Sequence, residues 1–211
     1  MLNTHFLVAD PHPLFTDALS SLLWQCGAQS VRCVVEYPDV IKLAKKRPGT
    51  IVLFNMSTPG SKGVFGLDRI LRKINPRSVI VILGQEDIAL ENFCVERGIG
   101  GFITKSYRPE QIKDVVTAVM LGEAAELPAV NCLNQEEDDR VRLYNKISTL
   151  SPKETLVFTH LKEGRLNKQI AYELELSEAT IKYHVGNILR KLSCHSRTQA
   201  AVIANRHVFF S

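Results

Sequence analysis

LSPKETLVFTHLKEGRLNKQIAYELELSEATIKYHVGNILRKLSCHSRTQAAVIA, residues 150–204, carries helix signals from end to end and no strand signal. Ser151-Pro152-Lys153-Glu154 is a capping box with proline at the first helical position. A helix therefore starts there and runs through Leu156, Val157, Phe158 and Leu161 to Gly164. A second, short helix near Asn167 to Leu174 sets Ile170, Ala171 and Leu174 on one face. The turn Glu175-Leu176-Ser177 follows, with Ser177 placed to cap a third helix. In that helix Ile181, Val185, Ile188 and Leu192 form a buried stripe, and Lys182, Tyr183, Gly186, Asn187 and Arg190 lie off it. Ser196-Arg197-Thr198-Gln199 is a further capping box, opening a fourth helix with Ala200, Ala201, Ile203 and Ala204 as small apolar contacts. Two short helices joined by a tight turn, the second with a polar face from its N-terminus, match a helix-turn-helix unit. A small helical bundle with one solvated face has the same pattern.

The charge is distributed to suit the first reading. Residues 148–211 hold 9 Lys/Arg against 5 Asp/Glu, or +4, with His160, His184, His195 and His207 in addition. Residues 123–147 hold 3 against 6, or −3, concentrated in NQEEDDR (134–140). Residues 1–122 hold 14 against 11, or +3, and the three sums give the net +4 of the chain. A compact basic module behind an acidic joint fits a nucleic-acid partner, although a merely soluble surface can carry the same charge. The divisions expected are 1–122, a linker 123–147, and a C-terminal module 148–211.

Upstream the pattern changes to strands alternating with helices. HFLVA (5–9), VRCVV (31–35), TIVLF (50–54), SVIVIL (78–83) and GFIT (101–104) are short apolar runs. Between and after them lie a helical pattern through Leu14, Ala18, Leu22 and Leu23, the segment ALENFCVERG ending at Gly98, and PEQIKDVVTAVMLG with Pro109 at its start and Gly122 at its end. Five such runs predict an α/β doubly wound domain with a five-stranded parallel sheet covered on both faces. Chemistry in such folds sits at the carboxyl ends of the strands, here Asp10, Asn55, Gly84 and Lys105.

Other classes find little support. No run approaches the roughly 18 apolar residues of a membrane span, and MLNTHFLVAD lacks the basic start and long apolar core of a signal peptide. A cytoplasmic protein with no membrane partner is expected. The five cysteines are scattered, without C-x-x-C spacing, which disfavours both a zinc site and a disulfide framework. No nucleophile-base-orienter set and no phosphate-cradling glycine loop points to an enzyme, and no catalytic residue, metal or cofactor is expected.

The elements LSPKE, EG-x-x-NK-x-IA, LSEATIKYHV, NILRKL and SRTQA, spaced in that order over residues 150–204, make the C-terminal module resemble the LuxR/NarL-type helix-turn-helix domain, an all-α four-helix unit. The resemblance implies double-stranded DNA as partner. It places Lys182, Tyr183 and Asn187 at base- or phosphate-facing positions of the recognition helix. Asn167, Lys168, His184, Arg190, Lys191 and Arg197 match polar positions that hold the DNA backbone, and each is equally readable as a solvated residue. Gly186 departs from the pattern, standing where the family often places a lysine or another polar reader. It either removes a base contact or permits closer approach to the groove. The resemblance further implies a homodimer on a partly palindromic site, with Ala200, Ala201 and Ala204 of the fourth helix between the DNA-bound modules.

Residues 4–122 resemble the receiver domain of a two-component response regulator. Asp10-Pro11-His12-Pro13-Leu14-Phe15 matches the segment after the first strand, Pro59-Gly60 and Gly63 the loop after the phosphoacceptor strand, and Lys105 with Pro109-Glu110 the end of the last strand and start of the last helix. Phosphoryl transfer there needs a carboxylate nucleophile, magnesium held by further carboxylates, a hydroxyl and a lysine. Counting back from Pro59-Gly60 puts Asn55 at the acceptor position. Pro11 replaces the second acidic residue, and Gly84 stands where the switch Ser/Thr belongs. Only Lys105 persists, to pair with Asp10 or hydrogen-bond Asn55. Ser57 and Thr58 are hydroxyls that form no acyl phosphate. The expectation is a degenerate receiver in a sequence-specific transcription regulator acting without aspartyl phosphorylation, its N-terminal domain dimerising or meeting an unknown signal or regulator protein. The alternative is a regulator that acts mainly through protein contacts, forming heterodimers with other regulators.

Overall fold

β3 (Ile51–Asn55) and β4 (Val79–Leu83), reading IVLFN and VIVIL, are buried along their whole length, as strands covered on both faces must be. The computed structural model describes residues 4–123 and 133–206. In it these two strands pair in parallel inside a five-stranded sheet of order β2-β1-β3-β4-β5, with β1 (His5–Ala9), β2 (Ser30–Val34) and β5 (Gly101–Thr104) completing it. All four pairings are parallel, so the doubly wound sheet expected from the sequence is the one found. Three of the strands have limits that differ by one residue, most usefully β3, which ends on Asn55 rather than Phe54.

Helices fill the crossovers: α1 (Pro13–Gln25), α2 (Tyr37–Lys46), α3 (Val64–Leu71), α4 (Ile88–Val95) and α5 (Pro109–Met120). On one face Phe6, Val8, Leu53, Ile80 and Ile82 of the strands meet Leu19 and Leu23 of α1 and Ile112 and Val116 of α5 in a single core. The sequence pattern alone did not single out α2 and α3. In α2 the buried set is only Tyr37, Val40 and Ala44 among lysines, and α3 is eight residues long, so neither has a long apolar period.

The chain divides into two compact units, Met1–Val141 and Arg142–Ser211. The stretch expected to be a linker is helical over its second part, as α6 (Gln135–Ser148). The cause is legible in hindsight. Glu136, Glu137 and Asp138 lie in its first turn, where acids favour a helix N-terminus, and Asn134 and Glu137 bond reciprocally at its start. Tyr144 and Ile147 are buried, which a solvated linker would not allow. Residues 124–132 of that linker, with Cys132, and residues 207–211, with His207, lie outside the described residues.

The second unit continues with α7 (Pro152–Lys162), α8 (Asn167–Glu173), α9 (Glu178–Leu192) and α10 (Arg197–Arg206). α10 packs on α7 and α9, and α8 on α9, around Val157, Phe158, Leu161, Ile170, Ile181, Ile188 and Leu192. These are the four helices expected. Leu156, placed in the apolar run of the first, is exposed. Ala200 and Ala204 are fully buried in the unit's own core, so they cannot lie between two modules as the resemblance implied.

Candidate functional site

α8 ends in a Schellman closure: Leu176 N–H donates to Ala171 O (2.9 Å) and Glu175 N–H to Tyr172 O (3.4 Å). This motif needs a left-handed residue, and Glu175 supplies it at φ 53, where glycine is usual. The chain then turns directly into α9, whose first turn is capped by Ser177 Oγ accepting from Thr180 N–H at 3.1 Å. The buried stripe of α9 consists of Ile181, Ile188 and Leu192, with Val185 only half-buried at its margin.

Opposite that stripe the helix presents an open polar face. The Lys182 side chain is 68% exposed and Tyr183 is likewise exposed, with Gly186 and Arg190 exposed on the same face. Lys182 Nζ lies 3.6 Å from Glu178 Oε1, an exposed one-turn pair that leaves the ammonium available. A Cβ at Gly186 would meet no atom within 4 Å, so packing does not require glycine there. Asn187 is half-buried beside this face. His184 is half-buried too, its ring edge-on to Tyr183 at 5.7 Å between centroids, and its Nδ1 is buried without a hydrogen-bond partner among the described residues.

The other expected backbone contacts divide sharply. Lys168 is exposed. Lys191 instead donates to Glu154 Oε2 (2.6 Å) and Thr149 O (3.0 Å), tying the end of α9 to the start of α7. Glu154 is the buried member of the capping box: it accepts from Ser151 N–H at 2.7 Å while its own N–H donates to Ser151 Oγ at 3.2 Å. Burial opposes ionisation of Glu154, but the bonds from Lys191 and Ser151 outweigh it and hold its carboxyl below the ordinary value. Arg197 donates to Asn167 Oδ1 (2.6 Å) and to Arg165 O, joining the start of α10 to the start of α8. Lys191, Arg197 and Asn167 thus brace the unit. Their charge and polarity were visible in the sequence, but their partners, 30 or more residues away, were not.

In the first unit, β1, β3 and β5 carry Asp10, Asn55 and Lys105 to one point at their carboxyl ends. Asp10 is buried and its carboxylate is fully engaged. Asn55 Nδ2 donates to Oδ2 at 2.6 Å, Lys105 Nζ lies 2.9 Å from Oδ2 and 3.1 Å from Oδ1, and His12 N–H donates to Oδ1 at 2.8 Å. His12 Nδ1 is 2.7 Å from Asp10 Oδ1 and 2.8 Å from Lys105 Nζ, so the ring either donates to the carboxylate or accepts from the ammonium. Burial raises the pKa of Asp10, but the bonds from Asn55, Lys105 and His12 together bring it below the ordinary value. Lys105 Nζ also lies 4.8 Å above the Phe15 ring. The amide oxygen of Asn55 accepts from Ser57 N–H (2.8 Å), and the buried Thr58 hydroxyl donates to Asn55 O (2.7 Å) and Ala9 O (3.1 Å). Gly84 is exposed, with open space where a side chain would stand. Pro11 is half-buried and offers no ligand atom on its side chain.

Lys105 therefore pairs with Asp10 across both carboxylate oxygens, and Asn55 donates to one of them, Oδ2; the alternative bond from Lys105 to Asn55 is not formed. His12 was the missed member of the cluster. Its signal was local: an aspartate two residues before a backbone N–H is placed to accept from it. The donor set does not fit magnesium. A hard dication prefers several oxygen ligands with negative charge, and the one carboxylate present is already held by an ammonium, an amide and a backbone N–H.

Residues 6–117 match the response regulator receiver domain family, and residues 148–204 match the bacterial regulatory proteins of the luxR family. The chain is 28% identical over 206 residues to the glycerol metabolism activator of Pseudomonas putida, covering 94% of this chain and 93% of that one. It is 29% identical over 201 residues to the nitrate/nitrite response regulator protein NarP of Escherichia coli K12, covering 93% and 92% respectively. In fold it resembles RcsB from Salmonella enterica serovar Typhimurium, solved bound to promoter P1flhDC with phosphomimetic BeF3-, at a TM-score of 0.54 and 23% identity over 97% of this chain and 100% of that one.

Proposed function

The chain belongs to the response regulators with a luxR-family domain, DNA-binding regulators of transcription, and from that premise we propose that this one acts without aspartyl phosphorylation. The carrying observation is the saturated carboxylate of Asp10. An internal ammonium, an amide and a backbone N–H occupy the oxygens that would hold magnesium, and the acceptor position is an amide. An amide oxygen is a poor nucleophile and forms no acyl phosphate. The receiver pocket serves as a fixed structural unit, and input reaches the N-terminal unit by another route, through a signal or a regulator protein.

At the output end, α9 enters the major groove of double-stranded DNA. Lys182 and Tyr183 face bases or phosphates there, with Asn187 at the edge of the same face. Lys168 and Arg190 meet the phosphate backbone, His184 orients Tyr183, and Lys191, Arg197 and Asn167 act by holding the module in shape. The protein works in the cytoplasm as a homodimer on a partly palindromic site. Ala201 and Val202 lie outside the buried face of α10 and so remain available to a second module.

Incubation with magnesium and acetyl phosphate tests the central claim. The expected result is an unchanged intact mass and an unchanged affinity for promoter DNA. A gain of one phosphoryl group together with tighter DNA binding overturns it.

A further inference from the structure

At the end of the sheet opposite Asp10, roughly 16 Å away along β1, lies a cavity of about 310 Å³ between α2 and the first two strands. It has an apolar floor and a basic rim. The floor is Leu7 of β1 and Leu43 of α2. The parallel register sets His5 beside Ser30 and Leu7 beside Arg32, so these four residues share one face of the sheet, the face towards the cavity. His5 Nδ1 is 2.8 Å from Ser30 Oγ, which fixes the imidazole on the wall. Arg32, Lys46 and Arg47, all exposed, complete the rim.

The lining residues include no carboxylate, and among the described residues Arg32, Lys46 and Arg47 make no ion pair. Lys46 and Arg47 alone have an ordinary explanation, since cations at a helix C-terminus complement its dipole. Arg32 does not: it comes from a strand, and it lines the same hollow. Three uncompensated cations over a pocket with an apolar floor, of a volume usual for small-molecule sites, are the recognition elements for an amphipathic anion.

We propose that this cavity binds a small organic anion, its carboxylate or phosphate held by Arg32, Lys46 and Arg47 and its apolar end on Leu7 and Leu43. This site goes beyond the phosphorylation question, since it shares no residue with the Asp10 cluster. It gives the N-terminal unit a place to receive a chemical signal.

Isothermal titration of the full chain with octanoate, octyl phosphate and inorganic phosphate, at matched ionic strength, tests the site. Saturable binding of octanoate or octyl phosphate is expected, weakened at least tenfold in the Arg32→Gln, Lys46→Gln double variant, and the stronger of the two identifies the head group. Amide shifts in the unaltered protein give a second readout that needs no variant, and they are expected in β1, β2 and α2. Absence of saturable binding by both amphipathic probes, affinity unaltered in the double variant, or shifts confined to other elements overturns the assignment. Inorganic phosphate binding as tightly as octyl phosphate overturns the apolar half of it.

Discussion

The strand-end cluster of the first unit and the exposed face of α9 hold similar inventories of polar side chains and use them in opposite ways. Around Asp10 the donors converge on one buried carboxylate within about 3 Å. On α9, Lys182, Tyr183 and Arg190 face solvent, and Lys182 makes only a long exposed pair with Glu178. A buried polar group that is satisfied internally contributes to the fold, because leaving its partner unpaired is costly. A polar group left in water costs the fold little and is free for another molecule. Within the second unit the same rule separates Lys191 and Arg197 from Lys182 and Lys168.

The largest effect expected from disturbing this contrast is at Asp10. Asp10→Ala leaves Lys105 and Asn55 without their acceptor and should cost about 3–5 kcal/mol in denaturant unfolding of the first unit. The folded pKa of this group lies below its ordinary value of 3.8, so its contribution is fully present above that value. It is lost as pH falls through the lower, folded value. The stability difference between the parent and the variant should therefore shrink in strong acid. An unchanged unfolding midpoint at neutral pH would show that the cluster carries no stability.

Next is Glu154→Ala, which removes both the reciprocal cap of α7 and the partner of Lys191. A loss of about 2–3 kcal/mol from the second unit is expected by calorimetry. If Lys191 served chiefly as a DNA contact, freeing it would leave stability nearly intact and strengthen binding.

Much of this was readable before any coordinates. The five apolar runs specified the sheet, because strands buried on both faces need no alternation, and Pro59-Gly60 located Asn55 by its offset. The capping boxes at Ser151 and Ser196 opened helices as expected; at the second, Gln199 reaches back to His195 N–H rather than to Ser196. What stayed hidden was pairing across distance. Nothing near Lys191 announces Glu154, and nothing near Arg197 announces Asn167. α6 was missed because its acidic start resembles a solvated linker until Tyr144 and Ile147 are seen to be buried. Ala200 and Ala204 of α10 were expected between modules by resemblance, and packing on α7 and α9 places them in the core instead.

A sharper test sets Lys182→Ala against Arg197→Ala. The first should weaken promoter binding by about 1–3 kcal/mol while leaving the melting temperature in place. The second should lower the melting temperature, with any loss of DNA affinity following from that. Identical behaviour of the two in gel shift and melting would erase the distinction between open and committed charge.

The smallest effect lies in the helix-turn-helix corner. Glu175→Gly relieves a left-handed side-chain residue and should raise stability by about 1 kcal/mol, read as a higher melting temperature with promoter affinity unchanged. A lower melting temperature would mean that the Glu175 side chain contributes more than its backbone costs.

Gly186 bears on how such a regulator changes its targets over generations. Most substitutions that create a new function also erode the fold, so selection must tolerate a weaker protein on the way. Here a side chain can be installed on the open face of α9 without displacing a neighbour, and the helix itself gains about 1 kcal/mol when glycine is replaced by alanine. On the reading proposed for α9, a lineage drifting from Gly186 towards a polar reader would gain thermal robustness while it explores new promoters, which makes this position an inexpensive point of departure for rewiring a regulatory network.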